Sequence, residues 1–547
     1  MKRWEVLNST KAAATQDIIK ILLENRGIKN LQQTQDFISP KLENVTLKSA
    51  NINEKEVEQT VLRIKKAVEG NEGIVVYGDY DVDGICGAAI LWECIHSFYK
   101  NVYPYIPHRV DEGYGLSEKG ILNIQEQLSN VTLIITVDNG IVANKAVEFA
   151  KLQKIDVIVT DHHVAGDKLP NAQAIVHTTE LCGTGVAYLL AQEISKEFSI
   201  TPHDNFLELV ALATVADLVP LNKNNRTLLK YGLLKLRNTK RAGLLALFKE
   251  AKIQREEIDT YHIGHMIAPR LNATGRISHA MDGLRLICTL NSERAAKLAR
   301  SLEEINKERQ TLTFDSAEDA KTKVEDLGLK EDSLLFVSDA KYDQGVVGLI
   351  ASRLVEEFYK PSIAVSIGEK FSKGSARSVS GVNIVELIRS VPTYLKEAGG
   401  HPMAAGFSVE TKDLESFKNE LVKKANEVID KALFKKTLKI DTELDINLID
   451  LLLHNEIQKL SPFGMGNPSP VFMTKGVTVV SMNRVGKNKE HVQVVLEKDA
   501  TFFKGIIFKN KEDLGTGKLI DVVYSIEKNE WGDKVSVELR VKDTRPI

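Results

Sequence analysis

Three aspartates at alternate positions close an apolar run: Ile74-Val75-Val76-Tyr77-Gly78-Asp79-Tyr80-Asp81-Val82-Asp83-Gly84. In extended backbone, residues two apart share a face, so Asp79, Asp81 and Asp83 would crowd their charges together. That crowding brings no stability by itself. A hard divalent cation removes the conflict, because carboxylate oxygens are the ligands such ions prefer. The plainer alternative is a loop of solvated aspartates capping the helix that Gly84 opens. Three carboxylates in register favour the metal.

Two more apolar runs end in the same way. Val131-Thr132-Leu133-Ile134-Ile135-Thr136-Val137 stops at Asp138-Asn139-Gly140, and Asp156-Val157-Ile158-Val159-Thr160 stops at Asp161-His162-His163. Asp217 closes an apolar, helical stretch from Leu209 to Ala216. Carboxylates with one or two imidazoles and no thiolate suit Mn²⁺ or Mg²⁺ better than a structural zinc. The set is larger than one ion can use. Two ions about 3.5–4 Å apart could share one bridging carboxylate, and such pairs hydrolyse phosphate esters by stabilising the attacking and leaving oxygens. A histidine free of metal could hydrogen-bond a phosphate oxygen or help move protons.

Apolar runs alternating with helices predict an α/β chain whose first large domain is a doubly wound parallel sheet. Ligands in such sheets collect beyond the carboxyl ends of the strands, where these residues fall. The chain divides into a helical lead-in over 1–48, a catalytic domain over 49–285, a long connecting helix over 286–330, a second α/β domain over 331–435 and a barrel over 436–547. The connecting segment, Asn291 to Leu327, has helix formers and no Gly or Pro, and would extend about 55 Å at roughly 1.5 Å per residue. The basic stretch from Lys223 to Arg241 reads as a solvated helix face. In the second domain, Gly374-Ser375-Ala376-Arg377-Ser378 and Gly399-Gly400-His401-Pro402 read as glycine turns whose amides could cradle a phosphate. After the rigid cluster Ser461-Pro462-Phe463-Gly464-Met465-Gly466-Asn467-Pro468, alternating strands predict a small barrel of the oligonucleotide-binding (OB) type. Arg484, Lys487, Lys489 and Lys504 near Phe502, Phe503 and Trp531 supply the cations and aromatics of a single-strand platform, or only a barrel core with a solvated rim.

Composition narrows little. The 547 residues are 43% apolar and 27% charged with a net charge of -2, which excludes a globally basic nucleic-acid binder and leaves local patches. The four cysteines form no close pair, so neither a disulfide framework nor a zinc site is expected. No apolar signal core follows Met1-Lys2-Arg3-Trp4 and no run spans a bilayer. The expectation is a cytoplasmic chain without a membrane partner.

Four motifs in order resemble those of the DHH phosphoesterases: Tyr77-Gly78-Asp79-Tyr80-Asp81-Val82-Asp83-Gly84, Val137-Asp138-Asn139-Gly140, Asp161-His162-His163 and Ala216-Asp217-Leu218-Val219-Pro220. Gly399-Gly400-His401 resembles the signature of the companion DHHA1 domain. Pro107-His108-Arg109, Gly113-Tyr114-Gly115-Leu116, Thr274-Gly275-Arg276, Ser375-Ala376-Arg377-Ser378 and the Ser461–Pro468 cluster narrow the resemblance to the exonuclease branch of that superfamily. It covers nearly the whole chain, with the lead-in the weakest part.

The resemblance implies a 5′→3′ exonuclease on single-stranded DNA, acting in recombination and repair with two Mn²⁺ or Mg²⁺ ions. It implies that Asp81, Asp83, Asp138, His162 and Asp217 hold the metals, with Asp138 bridging and Asp79 a ligand or just behind one. His163 would contact the scissile phosphate and Asp161 would orient its neighbours. Arg109, Arg276, Ser375, Arg377, Gly399, Gly400 and His401 would grip the DNA backbone or its 5′-terminal phosphate. A monomer is expected, with single-strand-binding protein and a helicase as partners. Two departures stand out. Tyr342 and Asp343 occupy the places where the family usually has Trp-His, which would weaken a substrate contact, and the chain ends soon after the barrel, without the additional domain of some longer relatives. The alternatives are a phosphodiesterase for short RNA or cyclic dinucleotides, and an inactive scaffold that only binds single strands.

Overall fold

The computed structural model describes residues 2–109, 111–128, 130–201, 206–509, 514–531 and 534–547. The chain forms two compact units, and neither is continuous in sequence. One comprises Thr46–Asp217 with Tyr231–Lys436; the other comprises Met1–Val45, Leu218–Lys230 and Thr437–Ile547.

Among the described residues, the first unit holds two sheets. Five parallel strands stand in the order Val102–Tyr105, Gly73–Gly78, Val131–Val137, Asp156–Asp161 and Ala174–His177. Ile74, Val75, Val76, Ile134 and Ile135 are fully buried, which is why these strands read as continuous apolar runs rather than alternating ones. The order reverses between Gly73–Gly78 and Val131–Val137, so the chain leaves these neighbours in opposite directions and opens a crevice at their carboxyl ends. Asp79 and Asp138 are the first residues beyond those two strands.

Helix Ser292–Asp326 runs 35 residues, close to the expected connector, and its last turns bury Ala320 and Val324 against the second sheet. That sheet is mixed, in the order Leu395–His401, Ala404–Glu410, Phe371–Arg377, Ser362–Ser366 and Leu335–Asp339. The two expected glycine turns are strands here. Gly399, Gly406 and Ser375 stand opposite one another across three antiparallel strands, as do His401, Ala404 and Arg377. The strand Ala404–Glu410 between them engages backbone that the sequence pattern assigns to a phosphate cradle.

In the second unit, strands Phe472–Val485, His491–Lys498, Thr501–Ile507, Lys534–Pro546 and Leu519–Trp531 close into a five-stranded barrel of the expected OB type. The lead-in is not wholly helical. Its first strand, Arg3–Asn8, pairs in parallel with Thr437–Glu443, and helix Thr15–Asn25 sends Ile18 and Leu22 into the barrel core. Nor is the basic stretch simply a solvated face. The Arg226 guanidinium is buried, lies over the Phe37 ring at 3.7 Å and donates to the carbonyls of Phe37, Ser461 and Pro462. On the expected platform, Phe502 is exposed but Phe503 packs against the core, as strand alternation requires; the Trp531 side chain lies outside the described residues.

Candidate active site

The three motif aspartates are not in register on a strand. The strand ends at Gly78, and helix Val82–Phe98 starts between the second and third of them. Asp81 is its N-cap, accepting from the amides of Asp83 at 2.9 Å and Gly84 at 3.1 Å. Asp83, in the first turn, accepts from the amides of Gly183 at 2.7 Å and Thr184 at 2.6 Å, where a second helix, Gly183–Glu197, begins. Two helix N-termini thus hold carboxylates that would otherwise repel each other. Asp138 sits in left-handed backbone with φ +63°, a conformation aspartate tolerates better than most residues. A Cβ on Gly183 would lie 2.7 Å from the Asp138 Cβ, so the close approach needs glycine there.

These elements bring the predicted acidic and imidazole groups together. His162 Nε2 lies 3.1 Å from Asp138 Oδ1, 3.5 Å from Asp217 Oδ2 and 3.6 Å from Asp83 Oδ2. Asp79, Asp81 and Asp138 make a second group, and Asp138, His162 and His163 a third, with the ligand-type atoms of each group within 4.8 Å of one another. Asp138 belongs to both of those last two. Asp79 Oδ1, Asp138 Oδ1 and His162 Nε2 are buried without a hydrogen-bond partner. Such orphaned atoms are costly unless something else satisfies them. An oxygen- and imidazole-loving divalent cation fits this donor set.

The electrostatics agree. Burial, followed by the charge of Asp81, raises the Asp79 carboxyl well above the usual range, and burial with Asp83, Asp81 and Asp79 does the same to Asp138. Burial, then Asp83 and Asp81, pushes Asp217 up to about 8. Asp161 behaves differently. Burial would raise it, but the hydrogen bond and charge of His163 hold it below the ordinary value. It accepts from the amides of Ile141, His162 and His163, and its Oδ1 lies 2.8 Å from His163 Nδ1. Burial opposes a charge on His163, yet Asp161, with Asp217 and Asp79 behind it, raises the imidazole to about 9. Burial also lowers His162, against the pull of Asp83.

A cluster of opposite sign adjoins this pocket. Arg109 lies over the Tyr80 ring at 4.9 Å, and Arg276 donates to the Gly345 carbonyl at 3.1 Å. Burial pushes Arg276 down to about 10, and repulsion from Arg109, Arg309 and Arg377 adds to it. Arg377 donates to Ser375 Oγ at 3.1 Å. Gly399 and Gly406 present open space where side chains would stand, leaving a bare shelf beside Ser375 and Arg377. His401, at the end of that shelf, stacks on His163 with ring centroids 6.4 Å apart. Gly400 is the exception, since successive residues of a strand face opposite ways.

Sequence reasoning passed over three residues here. Tyr114 Oη lies 3.3 Å from His163 Nε2, Arg309 adds to the cationic cluster, and Gly406 completes the shelf. Only Tyr114 carried a signal, as an aromatic between two glycines. Both residues that stand in place of the family's Trp-His are held locally. Tyr342 is buried with its hydroxyl donating to Asp319 at 2.7 Å, and Asp343 accepts from the Gly345 amide at 2.7 Å.

Comparison with known proteins follows the same division. Residues 73–214 match the DHH family N-terminal domain, 331–431 the DHHA1 domain and 440–543 the RecJ OB domain. The single-stranded-DNA-specific exonuclease RecJ of Bacillus subtilis is 33% identical over 567 residues, covering 99% of this chain and 70% of the relative. The protein of the same name from Escherichia coli is 29% identical over 565 residues, covering 97% of this chain and 96% of its own. The crystal structure of RecJ in complex with Mn²⁺ from Thermus thermophilus matches with a TM-score of 0.84 at 27% identity, covering 100% of this chain and 80% of that one.

Proposed function

Because the chain belongs to the RecJ family of single-stranded-DNA-specific exonucleases, we propose that it hydrolyses single-stranded DNA from the 5′ end to 5′-mononucleotides, in recombination and repair. The observation that carries the reading is the convergence of Asp79 Oδ1, Asp138 Oδ1 and His162 Nε2, buried and unpartnered, in one acidic pocket. A scaffold that only bound DNA would gain nothing from such atoms. Cleavage of dinucleotides alone would leave the closed barrel without a use.

Asp81, Asp83, Asp138, His162 and Asp217 would hold two Mn²⁺ or Mg²⁺ ions, with Asp138 between them and Asp79 in support. When bound, such a pair lowers the pKa of water and stabilises the attacking and leaving oxygens of an in-line displacement. The chain's own groups do the rest. His163, kept protonated by Asp161, donates from Nε2 to an oxygen of the scissile phosphate. Arg109, Arg276, Ser375 and Arg377 bind the 5′-terminal phosphate, and the bare surface at Gly399, ending at His401, lets the DNA backbone lie close to the shelf, while Gly400 faces the other side of the strand. Polarity follows from this arrangement, since a cationic cluster on one side of the acidic pocket fixes the distance from terminus to scissile bond. We assign 1–48 to the lead-in, 49–285 to catalysis, 286–330 to the connector, 331–435 to the second lobe and 436–547 to strand binding. Among the described residues no helix is long and apolar enough to cross a membrane. We further propose a cytoplasmic monomer that works with single-strand-binding protein and a helicase.

The test is Mn²⁺-dependent digestion of 5′-labelled and 3′-labelled single strands beside duplex DNA and dinucleotide RNA, with wild type and Asp138→Ala. Early release of the 5′ label as a mononucleotide, abolished in the variant, is expected. Tight binding without cleavage in any metal would replace the enzyme by a scaffold, and turnover of dinucleotides alone would move the activity to short RNA.

A further inference from the structure

The cationic cluster is not the end of the path. A cavity of ≈660 Å³ opens against Arg109 and Arg276, and none of the aspartates or histidines of the candidate metal pocket, nor Ser375 or Arg377, lines it. It therefore shares the two arginines with the phosphate cluster and no residue with the candidate metal pocket. Its volume falls in the range of small-molecule sites. The space persists because the residues that could fill it are tied elsewhere. Tyr342 is pinned by Asp319 with Lys323 over its ring at 4.9 Å, and Asp343 caps the turn at Gly345. A Cβ on Gly345 would lie 2.2 Å from the Arg276 carbonyl oxygen, so this wall is pressed directly onto the helix that carries Arg276.

The lining selects the ligand. Beyond the arginines stand the carboxylates of Glu308 and Asp343, which would repel further phosphates and accept hydrogen bonds from sugar hydroxyls or base amines. Lys341 is drawn away to Asp319 at 2.6 Å. Ile277 and Leu312 offer apolar surface to a base. The chemistry matches a neutral nucleoside joined to the phosphate that the arginines hold.

We propose that this cavity is a nucleoside site one position upstream of the phosphate cluster, and that it takes the terminal nucleoside of strands lacking a 5′-phosphate. The proposal rests on the exonuclease reading above. With a 5′-phosphorylated strand, the terminal phosphate occupies the cluster and the first cut releases a mononucleotide. With a 5′-hydroxyl strand, the phosphate between the first two nucleotides occupies the cluster instead. Water then adds to the phosphorus between the second and third nucleotides, the P–O3′ bond breaks and the 3′ oxygen takes a proton. The products are a dinucleoside monophosphate and a strand with a new 5′-phosphate. Every later cut then releases a mononucleotide.

The experiment uses the full chain with Mn²⁺ and a 3′-labelled oligodeoxynucleotide bearing either a 5′-phosphate or a 5′-hydroxyl, with first products identified by mass spectrometry. A dinucleoside monophosphate as the first product from the hydroxyl strand only is expected. Gln344→Trp, which crowds the cavity wall, should reduce that product at least tenfold while mononucleotide release from the phosphorylated strand stays within about twofold, which also reports on folding. Release of a free nucleoside, refusal of hydroxyl strands by an enzyme active on phosphorylated ones, or indifference of dinucleotide release to Gln344→Trp would each overturn the site. No cleavage of either strand would overturn the nuclease reading, and this proposal with it.

Discussion

The acidic pocket and the arginine cluster are both crowds of like charge, and they respond to crowding in different ways. Carboxylates can take up protons, so Asp79, Asp138 and Asp217 are all raised from the ordinary range. Guanidinium groups hold their protons at any working pH. Arg276, even pushed down to about 10, stays charged among Arg109, Arg309 and Arg377. Arg241 in the same unit shows what a structural arginine looks like. It makes a bidentate pair with Glu93 at 2.6 and 2.7 Å and a further bond to Glu208 at 2.5 Å. A buried charge that the fold wants for itself is paired; on the function proposed above, these two crowds are completed by ligands of opposite sign. The acidic crowd calls for cations, and the basic one for an anion.

The largest effect expected is at Asp138. Asparagine accepts the same left-handed backbone and nearly the same space, so Asp138→Asn removes a charge and little else. Its kcat should fall at least about 10³-fold, on the order of 4 kcal/mol of transition-state stabilisation. In EDTA the same variant should melt higher than wild type, because one repelling charge has left. Mn²⁺ should then raise the Tm of wild type more than that of the variant, since a ligand stabilises only the state that binds it. A variant that melts lower in EDTA would mean the pocket is stable as an unliganded network, and the contrast with Arg241 would disappear.

Next comes the pH dependence of the metal-free protein. His163 stands at about 9 folded against 6.5 ordinarily, so between those values the native state keeps a proton that the unfolded state has lost. Its contribution is fully present below 6.5 and is lost as pH rises through 9, up to roughly 2–3 kcal/mol. Asp217, at about 8 against 3.8, has the same sign: its proton stabilises the native state most below 3.8, and that gain is gone above 8. Urea denaturation in EDTA at pH 6.5 and 9.5 should therefore show falling stability, with the fall reduced in Asp161→Asn. A flat wild-type profile would show that the crowding is relieved by something other than protons.

What could be read from sequence divides along physical lines. The acidic crest was legible because the three central parallel strands are buried on both faces and each gives way abruptly to an aspartate. Helix Ser292–Asp326 was legible because nothing in it breaks a helix. Gly374–Arg377 and Gly399–His401 were misread as turns because glycine weakens a strand locally; pairing with Ala404–Glu410 across the sheet overrides that preference. Asp81 and Asp83 were expected to come together for an incomplete reason, since helix capping rather than strand alternation aims them. Arg226 shows the limit most plainly. Its carbonyl partners lie 189 to 236 residues away, and no local pattern announces them.

Arg276 tests the basic side of the comparison. Lysine keeps the charge but loses the planar fork, so Arg276→Lys should lower kcat/KM on 5′-phosphorylated strands about tenfold, near 1.4 kcal/mol. The ratio of kcat/KM between phosphorylated and hydroxyl strands should shrink with it. Stability should change little, because among the described residues no carboxylate is paired with this side chain. A variant that lost stability while keeping that ratio would place Arg276 with Arg241, as a structural group.

The smallest effect, and the one that best locates proton handling, is Tyr114→Phe. The phenol lies 3.3 Å from His163 Nε2, while its ring meets Tyr80 and His163 edge-on at 6.1 and 6.2 Å. Phenylalanine keeps both ring contacts and deletes one hydrogen bond at the edge of the site. Since His163 is oriented through Nδ1 by Asp161, the loss should cost about twofold in kcat with KM unchanged, roughly 0.5 kcal/mol. Burial and four neighbouring aspartates hold the phenol protonated far above its ordinary range, so at working pH its oxygen can accept from the His163 Nε2 proton while its own proton stays free to donate to a phosphate oxygen. A hundredfold loss of kcat would therefore make Tyr114, rather than His163 alone, the donor facing the phosphate. The division would then lie between the ligand-holding carboxylates and a two-residue donor pair, with the arginines left to binding alone.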